Sequence, residues 1–290
     1  MSFPQKIRSV VTHPGGAHKD DFLACSLMVA QTGVVVERRE PNESDLANKE
    51  VCVIDVGGEH DAERMNFDHH QFPRDHPPVC AITLVLQHLG IYEDARDFCD
   101  WLEPAEWFDT RGPKDTATWL GVERDIVSKL FSPIDGSILR RFAGQDRHAP
   151  GETVYEVMRF VGEDLLGFVT TLKDRLAILE THAEVWDLGG GMKAVYVARS
   201  DALQGEPSMG LHHYIVRKEM EKEVVAMVYP DRRGAGYGMS RYNDDQRMDF
   251  SLTQSEPDVH FAHARGFVAK TSATQVDRLK GLLELASVTG

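Results

Sequence analysis

The chain has 290 residues, 42% of them hydrophobic and 27% charged, which is enough to bury one large core or two smaller ones. A formal net charge of -14 disfavours a protein that wraps long duplex DNA, because each phosphate contact needs a basic side chain. The longest apolar run, "FLACSLMVA", is too short to span a bilayer, and "MSFPQKIRSV" lacks the apolar region of a secretion signal. We therefore expect a two-domain globular protein that does not enter membranes.

The cysteines indicate a reducing environment. None belongs to a CxxC pair, and all lie in apolar neighbourhoods: Cys25, Cys52, Cys80 and Cys99. Buried, reduced thiols are the expected state, and they fit a cytoplasmic location. A structural zinc site has little support, since no cysteine pairs with the histidines.

The first third of the chain alternates strand-like and helix-like runs. "IRSVVTH", "VVVERR" and "EVCVIDVGG" predict strands, and "DDFLACSLMVAQTG" predicts a helix that ends at Gly33. Apolar strands separated by helices are typical of a parallel sheet with helices on both faces. In such sheets functional side chains gather at the carboxyl ends of the strands.

The rest of the chain predicts a second, smaller domain. From "ITLVLQHLG" to about residue 183 the apolar spacing is mostly helical, and "DLGGG" then predicts a linker. Strand signals return in "KAVYVARS", "EVVAMVYP", "GYGMSRYN" and "VHFAHARGFV", and "TQVDRLKGLLELA" predicts a final helix. We place an α/β domain at residues 1–187 and an α+β domain at residues 188–290.

Two segments near strand ends carry candidate metal ligands. "THPGGAHKDDFLA" sets His13, His18 and Asp20 around a glycine turn that leads into a helix. The alternative is that Asp20 or Asp21 only caps this helix. Asp55 follows a buried strand, where a carboxylate is costly unless it is paired, bound to a metal, or hydrogen-bonded to turn amides.

Two further segments complete the candidate set. The triplet Asp68-His69-His70 is a modest motif alone, but its order after the earlier histidines and aspartates strengthens it. In "PAEWFDTRG", Glu106 and Asp109 are carboxylates one helical turn apart, or else a solvated helix end.

Mixed imidazole and carboxylate ligands favour a transition metal. Such donors suit Mn²⁺, Fe²⁺ or Co²⁺ better than Mg²⁺, which prefers oxygen. The candidates are numerous enough for two divalent cations, and the ligand types leave Mn²⁺, Fe²⁺ and Co²⁺ open. Two ions about 3.5–4 Å apart can hold the attacking and leaving oxygens of a displacement at phosphorus. A strand-end carboxylate such as Asp55 is suited to bridge them.

These motifs together resemble the DHH phosphoesterase superfamily, which contains RecJ-type nucleases and manganese-dependent inorganic pyrophosphatases. Within it the chain is most similar to the Myg-type branch, whose members are reported as 3′–5′ RNA exonucleases. "THPGGAHKDDFLA", "IDVGG" and "FDHHQ" match that branch well, and "EWFDTRG" and "FAHARGFVAK" match more weakly. The resemblance spans most of the chain.

The resemblance implies a role for each matched position. His13 and His18 would hold one ion together with Asp55. The other ion would be held by Asp20, Asp55, His69 and Asp109. His70 would face the scissile phosphate or orient the attacking water, and Asp68 would be a ligand or would fix a histidine tautomer.

The resemblance also places substrate contacts in the second domain. The expected phosphate-binding residues are His263 and Arg265, with Lys270 a weaker assignment. Arg241 is added as one of the few basic residues available in this acidic chain, where the alternative is plain surface charge. The chain departs from the branch at Glu106, at Thr110 and Arg111, and at Arg265, Ala269 and Lys270. The departures near the end of the chain leave the substrate open.

The sequence thus favours a metal-dependent phosphodiesterase that acts on short RNA or nucleotide ends. A phosphatase or pyrophosphatase for a small ester is the alternative within the same chemistry. A non-catalytic nucleotide-binding or metal-binding protein is the alternative from another class. The sequence leaves the oligomeric state open, including a homo-oligomer.

Overall fold

The computed structural model describes residues 6–129, 132–203 and 205–288. The chain divides into two compact units, Met1–Thr170 and Thr171–Gly290. Each unit contains a six-stranded sheet and helices, so the predicted mixed α/β fold is confirmed. The assignment of catalysis to residues 1–187 and of substrate binding to residues 188–290 stays a prediction.

The sheet of the first unit has a parallel centre. Its strands are β1 (Ser9–Thr12), β2 (Val35–Arg38), β3 (Val51–Ile54), β4 (His60–Asp61), β5 (Asn66–Phe67) and β6 (Arg147–His148). They are arranged in the order β4-β5-β3-β1-β2-β6, with β5, β3, β1 and β2 parallel and the two edge strands antiparallel. All four residues of β3 are buried, as expected for a strand covered on both faces.

Helices form most of the remainder of the first unit. They are α1 (Lys19–Thr32), α2 (Glu43–Ala47), α3 (Ala81–His88), α4 (Tyr92–Phe98), α5 (Leu102–Leu120), α6 (Arg124–Lys129) and α7 (Pro133–Ala143), and α8 (Thr153–His182) begins in this unit and ends in the second. Helix α1 ends at Gly33, whose left-handed conformation closes the last turn, as predicted. Helix α5 is kinked at Gly112, where φ is 75° and Pro113 follows.

The second unit is built on a mostly antiparallel sheet. Its strands are β7 (Ala183–Gly189), β8 (Met192–Val197), β9 (Val224–Pro230), β10 (Tyr237–Arg241), β11 (Val259–Ala262) and β12 (Val268–Thr271). Its helices are α9 (Leu211–Arg217) and α10 (Val276–Ala286), with a 3₁₀ turn at Phe250–Thr253. Leu279, Leu282 and Leu283 of α10 are fully buried in the same apolar cluster as Val228 and Met239 of the sheet.

The predicted linker at "DLGGG" is wrong. Strands β7 and β8 pair in antiparallel register from Ala183 opposite Val197 to Gly189 opposite Met192, so this segment lies in a β-hairpin. The sequence obscured β7 because the helical spacing of α8 continues into "HAEVW". The hairpin turn therefore belongs to the sheet of the second unit.

Two sequence expectations concern the state of the chain. All four cysteines are free and buried, as predicted. Over the described ranges, no helix combines the length and apolarity needed to cross a membrane.

Helices α1 and α8 approach closely at Gly162. A Cβ atom at this position would collide with the carbonyl group of Ser26 and lie 2.8 Å from the Cβ of Ala30. We expect Gly162→Ala to lower the free energy of unfolding by about 1–3 kcal/mol, because backbone atoms of α1 must move. Urea unfolding followed by circular dichroism measures this change.

Gly167 of the same helix supplies the matched control. A Cβ atom there meets no described atom within 4 Å. Gly167→Ala should raise the free energy of unfolding by up to about 1 kcal/mol, since alanine favours helix. Equal effects of the two substitutions would contradict the close approach.

Candidate metal centre

Neighbouring parallel strands deliver three polar residues to one edge of the sheet. Thr12 lies opposite Ile54, and Ile54 lies opposite Phe67, so β1, β3 and β5 end at the same level. The residues that follow these strand ends are His13, Asp55 and Asp68. Their side chains are adjacent because parallel strands share a carboxyl edge.

Two helices complete the cluster. His18 precedes α1, and Asp20 lies in its first turn. Asp109 comes from α5, before the kink. The backbone N–H of Ala81, at the start of α3, donates to Asp20 Oδ2 at 3.3 Å, which fixes the position of this carboxylate.

Two carboxylates alternate with three imidazoles. Asp55 Oδ2 lies 3.4 Å from His13 Nε2, and Asp55 Oδ1 lies 3.0 Å from His69 Nε2. Asp109 Oδ2 also lies 3.0 Å from His69 Nε2, and Asp109 Oδ1 lies 3.4 Å from His18 Nδ1. Each carboxylate therefore faces two different histidines, as a bridging group between two ions would.

The structure brings together all six residues expected to bind metal. With His70 as a seventh member, their donor atoms fall into three overlapping groups, each within 4.8 Å: His13, His18 and Asp55; Asp55, His69 and His70; and His18, Asp20 and Asp109. The overlap gives room for more than one cation. Which residue holds which ion stays a prediction.

Several buried donor atoms in this cluster form no hydrogen bond of good geometry with the described residues, although imidazole and carboxylate atoms approach to 3.0 Å. They are His13 Nε2, Asp20 Oδ1, Asp21 Oδ2, Asp55 Oδ1 and His69 Nε2. A buried polar atom without a partner costs about 1–3 kcal/mol, and more when it is charged. Divalent cations would satisfy these atoms, and the mixture of nitrogen and oxygen donors fits Mn²⁺ or Fe²⁺.

The histidines are held in orientations that suit metal binding. His13 Nδ1 lies 2.9 Å from the carbonyl oxygen of Pro14, so it donates its hydrogen there and Nε2 faces the cluster. Contact with Asp21 outweighs burial and raises the pKa of His13 to about 9. Burial lowers the pKa of His69, but contacts with Asp109 and Asp55 outweigh it and raise the pKa to about 10.

The carboxylates titrate in opposite directions. Burial, followed by the neighbouring aspartates, raises the pKa of Asp20 well above its usual range. Burial also raises the pKa of Asp55. Burial would raise the pKa of Asp109 too, but His18 and His69 outweigh it and lower that pKa. Without cations, protons on the histidines thus offset part of the carboxylate charge.

Asp68 fixes the orientation of His70 by hydrogen bonds to its backbone and ring. Asp68 Oδ1 accepts hydrogen bonds from the backbone N–H of His70 at 3.0 Å and from His70 Nδ1 at 2.7 Å. The backbone N–H of Gly58 donates to Asp68 Oδ2 at 2.6 Å. Burial raises the pKa of Asp68, but these contacts with His70 and Gly58 outweigh it and lower the pKa. Asp68 thereby leaves His70 Nε2, on a side chain 63% exposed, free for other contacts.

Asp55 adopts a strained backbone. Its φ of 59° lies in the left-handed region, which residues other than glycine rarely occupy. The conformation costs about 1–3 kcal/mol and persists where the surroundings require it. At Asp55 it places a 2%-exposed carboxylate between two histidines.

Glu106 does not take part in the donor groups. Its Oε1 accepts hydrogen bonds from Thr83 Oγ1 at 2.6 Å and Tyr92 at 3.0 Å. The expectation of paired carboxylates in "EWFDTRG" is therefore wrong for Glu106, although Asp109 joins the cluster. Arg111 donates from Nη2 to the carbonyl oxygen of His76.

Two buried residues beside the cluster were missed by the motif analysis. Asp21 is fully buried, and its Oδ2 lies 3.0 Å from His13 Nε2. Arg38 is 2% exposed, and its Nη2 lies 3.8 Å from the same oxygen. Asp21 also caps α1, as the alternative for this turn foresaw, because its Oδ1 accepts from the backbone N–H of His18 at 2.9 Å. Because the sequence pattern around Asp21 was explained by helix capping, its contact with His13 was not predicted.

The substrate residues expected near the end of the chain form one local group in the second unit. The rings of His263 and Phe267 stack at 5.2 Å, and the Arg241 guanidinium lies 5.4 Å from the Phe267 ring centre. His263 Nδ1 accepts a hydrogen bond from the backbone N–H of Arg265 at 3.1 Å. Within the described ranges the buried Nε of Arg241 has no hydrogen-bond partner.

Lys270 departs from the expectation of a free phosphate-binding cation. Its Nζ donates to Asp231 Oδ1 at 3.0 Å, and Asp231 is 5% exposed. Asp231 Oδ2 also lies 3.8 Å from His260 Nε2. The lysine charge is thus balanced within the second unit.

Comparison with known proteins identifies the N-terminal part of the chain. Residues 9–79 match the MYG1 exonuclease family model, which is described as an uncharacterised protein family (UPF0160). The MYG1 protein of Chlamydia trachomatis is 41% identical over 68 residues, which are 22% of each chain. The human MYG1 exonuclease is 41% identical over 64 residues, which are 21% of this chain and 16% of the human protein.

Residues 9–79 are similar to the Myg-type family and are called the Myg-type segment here. The predicted resemblance is thus confirmed over this part of the chain. The matches span only about a fifth of the length of these curated relatives. The Myg-type segment contains seven of the predicted site residues, namely His13, His18, Asp20, Asp55, Asp68, His69 and His70. Asp109 and the second-unit residues lie outside it.

A solved structure aligns along most of the chain at low similarity. It is the pGpG-specific phosphodiesterase PggH from Vibrio cholerae, with 11% identity and a TM-score of 0.32. The alignment covers 97% of this chain and 98% of that chain. A TM-score of this size does not establish a shared fold.

We expect Mn²⁺ binding to release protons. His13 and His69, with pKa values of about 9 and 10, carry protons at pH 7 without metal and must lose them to bind a cation. Raising the pH from 6 to 8 should therefore tighten binding, by about tenfold per pH unit for each displaced proton. Calorimetry in two buffers with different ionisation enthalpies counts the protons. Affinity that is constant across this pH range would contradict the prediction.

Proposed function

We propose that the chain is a divalent-metal-dependent phosphoesterase that hydrolyses phosphodiester bonds at the ends of short RNA or other oligonucleotides. One observation carries the proposal. Buried imidazole and carboxylate atoms from three chain segments, at His13 and Asp20, at Asp55 and at His69, lack hydrogen-bond partners among the described residues, and Asp109 of a fourth segment lies beside them. Such an arrangement is stable when cations occupy it.

The relatives support hydrolysis of nucleic acid. Proteins from human, rat and cattle that match the N-terminal segment carry the name MYG1 exonuclease. The matched residues include the DHH triplet and the two earlier histidines. The proposal extends that activity to this chain.

The proposed reaction uses two divalent cations, with Mn²⁺ first and Mg²⁺, Co²⁺ or Fe²⁺ as alternatives. His13, His18 and Asp55 would hold one ion. The second ion would be held by Asp20, Asp55, His69 and Asp109. Such ions supply positive charge for the phosphoryl oxygens and make water a stronger nucleophile near neutral pH.

His70 is the proposed proton carrier. With its Nδ1 hydrogen held by Asp68, the neutral ring has a lone pair at Nε2. Nε2 can accept the proton of the attacking water, and the Asp68 carboxylate stabilises the resulting imidazolium. The water oxygen forms a bond to phosphorus as the phosphorus–oxygen bond to the leaving nucleoside breaks. The proton then passes from Nε2 to the leaving oxygen.

Substrate contacts are proposed for His263, Arg241 and Arg265. Their local grouping supplies positive charge in a chain of net charge -14. A local group can bind one or two phosphates, whereas a long duplex needs an extended basic surface. The proposal therefore favours short single strands or strand ends.

A small phosphate ester is the second candidate substrate. Several basic residues of the second unit are already paired with acids: Lys270 with Asp231, Arg247 with Asp245, and Arg278 with Asp258. Fewer free cations favour a substrate with fewer phosphates. A phosphatase or pyrophosphatase activity is consistent with this pairing.

We expect the purified chain to shorten 5′-labelled RNA oligonucleotides in the presence of Mn²⁺ and to lose this activity in EDTA. His69→Ala should lower kcat by at least about 100-fold, because His69 Nε2 lies 3.0 Å from both Asp55 and Asp109. His182→Ala is the control, since His182 bonds to the carbonyl oxygen of Ile178 within α8. Denaturing gels resolve the products.

The same assay separates the alternatives. Phosphate release from a monoester or from pyrophosphate, without oligonucleotide shortening, would favour the small-ester candidate. Mn²⁺ binding without any product would leave a non-catalytic binding protein. If the wild-type chain binds no divalent cation, all three fail.

Arg241 tests the proposed substrate contact. We expect Arg241→Ala to lower kcat/KM for a short RNA by about 10–100-fold, because a charged hydrogen bond is worth about 1.5–3 kcal/mol. Arg247→Ala is the matched control, since Arg247 Nη2 lies 2.6 Å from Asp245 and is already neutralised. Initial rates at several salt concentrations measure both variants. Equal losses for the two would rule out a specific role for Arg241.

A further inference from the structure

We propose that Arg38 and Asp21 form a buried clamp that positions the turn at residues 13–18, so that His13 and His18 both meet the metal centre. Arg38 touches neither histidine ring. Asp21 contacts His13 and caps helix α1. Both are therefore proposed as positioning residues. The inference rests on the proposed metal site. It adds Arg38, which lies outside the family motifs, and gives Asp21 a role that the motif alone does not show.

Arg38 holds the backbone of the turn directly. Its Nη1 donates to the carbonyl oxygen of Gly15 at 3.2 Å, and its Nη2 donates to the carbonyl oxygen of Gly16 at 3.2 Å. Nη1 also donates to the carbonyl oxygen of Phe142 at 3.3 Å. The planar guanidinium can bind adjacent carbonyls in a fixed geometry, whereas a lysine ammonium is a single point.

The position of Arg38 follows from strand register. Arg38 ends β2 and lies opposite Thr12, the last residue of β1. The turn that carries the histidines begins at the next residue, so the side chain of Arg38 extends beneath it. Parallel pairing therefore fixes the donor relative to the turn.

Arg38 is buried despite its charge. It is 2% exposed, and its guanidinium carbon lies 4.6 Å from the centre of the Phe142 ring. A buried charge destabilises a protein unless it is paired and hydrogen-bonded. The three backbone carbonyls, the aromatic ring and the nearby Asp21 carboxylate provide that compensation.

Asp21 joins the two ends of the turn. Its Oδ1 accepts hydrogen bonds from the backbone N–H groups of His18 at 2.9 Å and Phe22 at 2.6 Å. Its Oδ2 lies 3.0 Å from His13 Nε2 and 3.8 Å from Arg38 Nη2. The Asp21 carboxylate thus contacts the side chain of His13 and the backbone N–H of His18.

The turn itself needs such support. Pro14, Gly15 and Gly16 are exposed, and glycines lose more conformational freedom on ordering than other residues. Without the clamp, metal binding would have to order this segment, and the affinity would fall. Groups that orient metal ligands from behind typically contribute 10–100-fold to affinity.

The experiment measures Mn²⁺ affinity by calorimetry on the full chain, at a temperature where every variant is folded by circular dichroism. We expect Arg38→Met to weaken binding by about 10–100-fold. Arg38→Lys keeps the charge but not the fork, so it should weaken binding to a smaller extent. Arg39→Met is the matched control, because Arg39 contacts Glu37 and Asp45 away from the turn, and it should stay within about twofold of wild type.

Hydrogen exchange of the metal-free protein gives an independent measurement. The amide of His18, which donates to Asp21 Oδ1, should lose protection in Arg38→Met and keep it in Arg39→Met. A purely structural role would lower the melting temperature of Arg38→Met but leave the Mn²⁺ affinity of the folded protein unchanged. That outcome overturns the clamp.

The remaining outcomes are also decisive. If Arg38→Met does not fold, Arg38→Lys decides: wild-type affinity overturns the clamp, and weaker affinity supports it. If wild type binds Mn²⁺ and both Arg38 variants match it, the clamp alone fails. If wild type binds no Mn²⁺, the proposed function fails first.

Discussion

The burial of carboxylates and imidazoles against one another is the constraint on which the rest of the first unit depends. Asp20 and Asp55 are at most 2% exposed, and His69 is 8% exposed, yet atoms of all three lack hydrogen-bond partners among the described residues. At such short separations in a medium of low dielectric constant, charge that is not balanced is strongly unfavourable. Protons on His13 and His69 balance part of it in the metal-free chain, and divalent cations would replace those protons.

The parallel sheet explains why this cluster forms where it does. Three strand ends at one level bring residues distant in sequence together without any long loop between them. Asp55 meets the geometric demand by adopting a left-handed backbone, a strain that the packed strand on one side and the glycine turn on the other support. The fold therefore holds the donors at the strand ends close together, and the proposed Arg38 clamp extends the same principle to the turn at residues 13–18.

Sequence reasoning located donors that follow strand signals, because strand ends and metal-loving side chains are both visible in the order of residues. His13, Asp55 and the DHH triplet are of this kind. Sequence reasoning did not identify residues whose role depends on a partner that is distant in the sequence. The lysine at position 270 looks like a free cation until the fold places Asp231 3.0 Å away. Likewise β7 continues the helical spacing of α8, and only pairing with β8 makes it a strand.

The distribution of charge limits the substrate that the proposed reaction can use. In the second unit, acids already neutralise Lys270 and Arg247, whereas Arg241 keeps a buried Nε without a partner in the described part of the chain. Release of counterions from many phosphates drives binding to long nucleic acids, and it requires many free cations. A chain of net charge -14 lacks that driving force. The proposed substrate is therefore one that offers a phosphate or two for recognition, as the end of a short strand does.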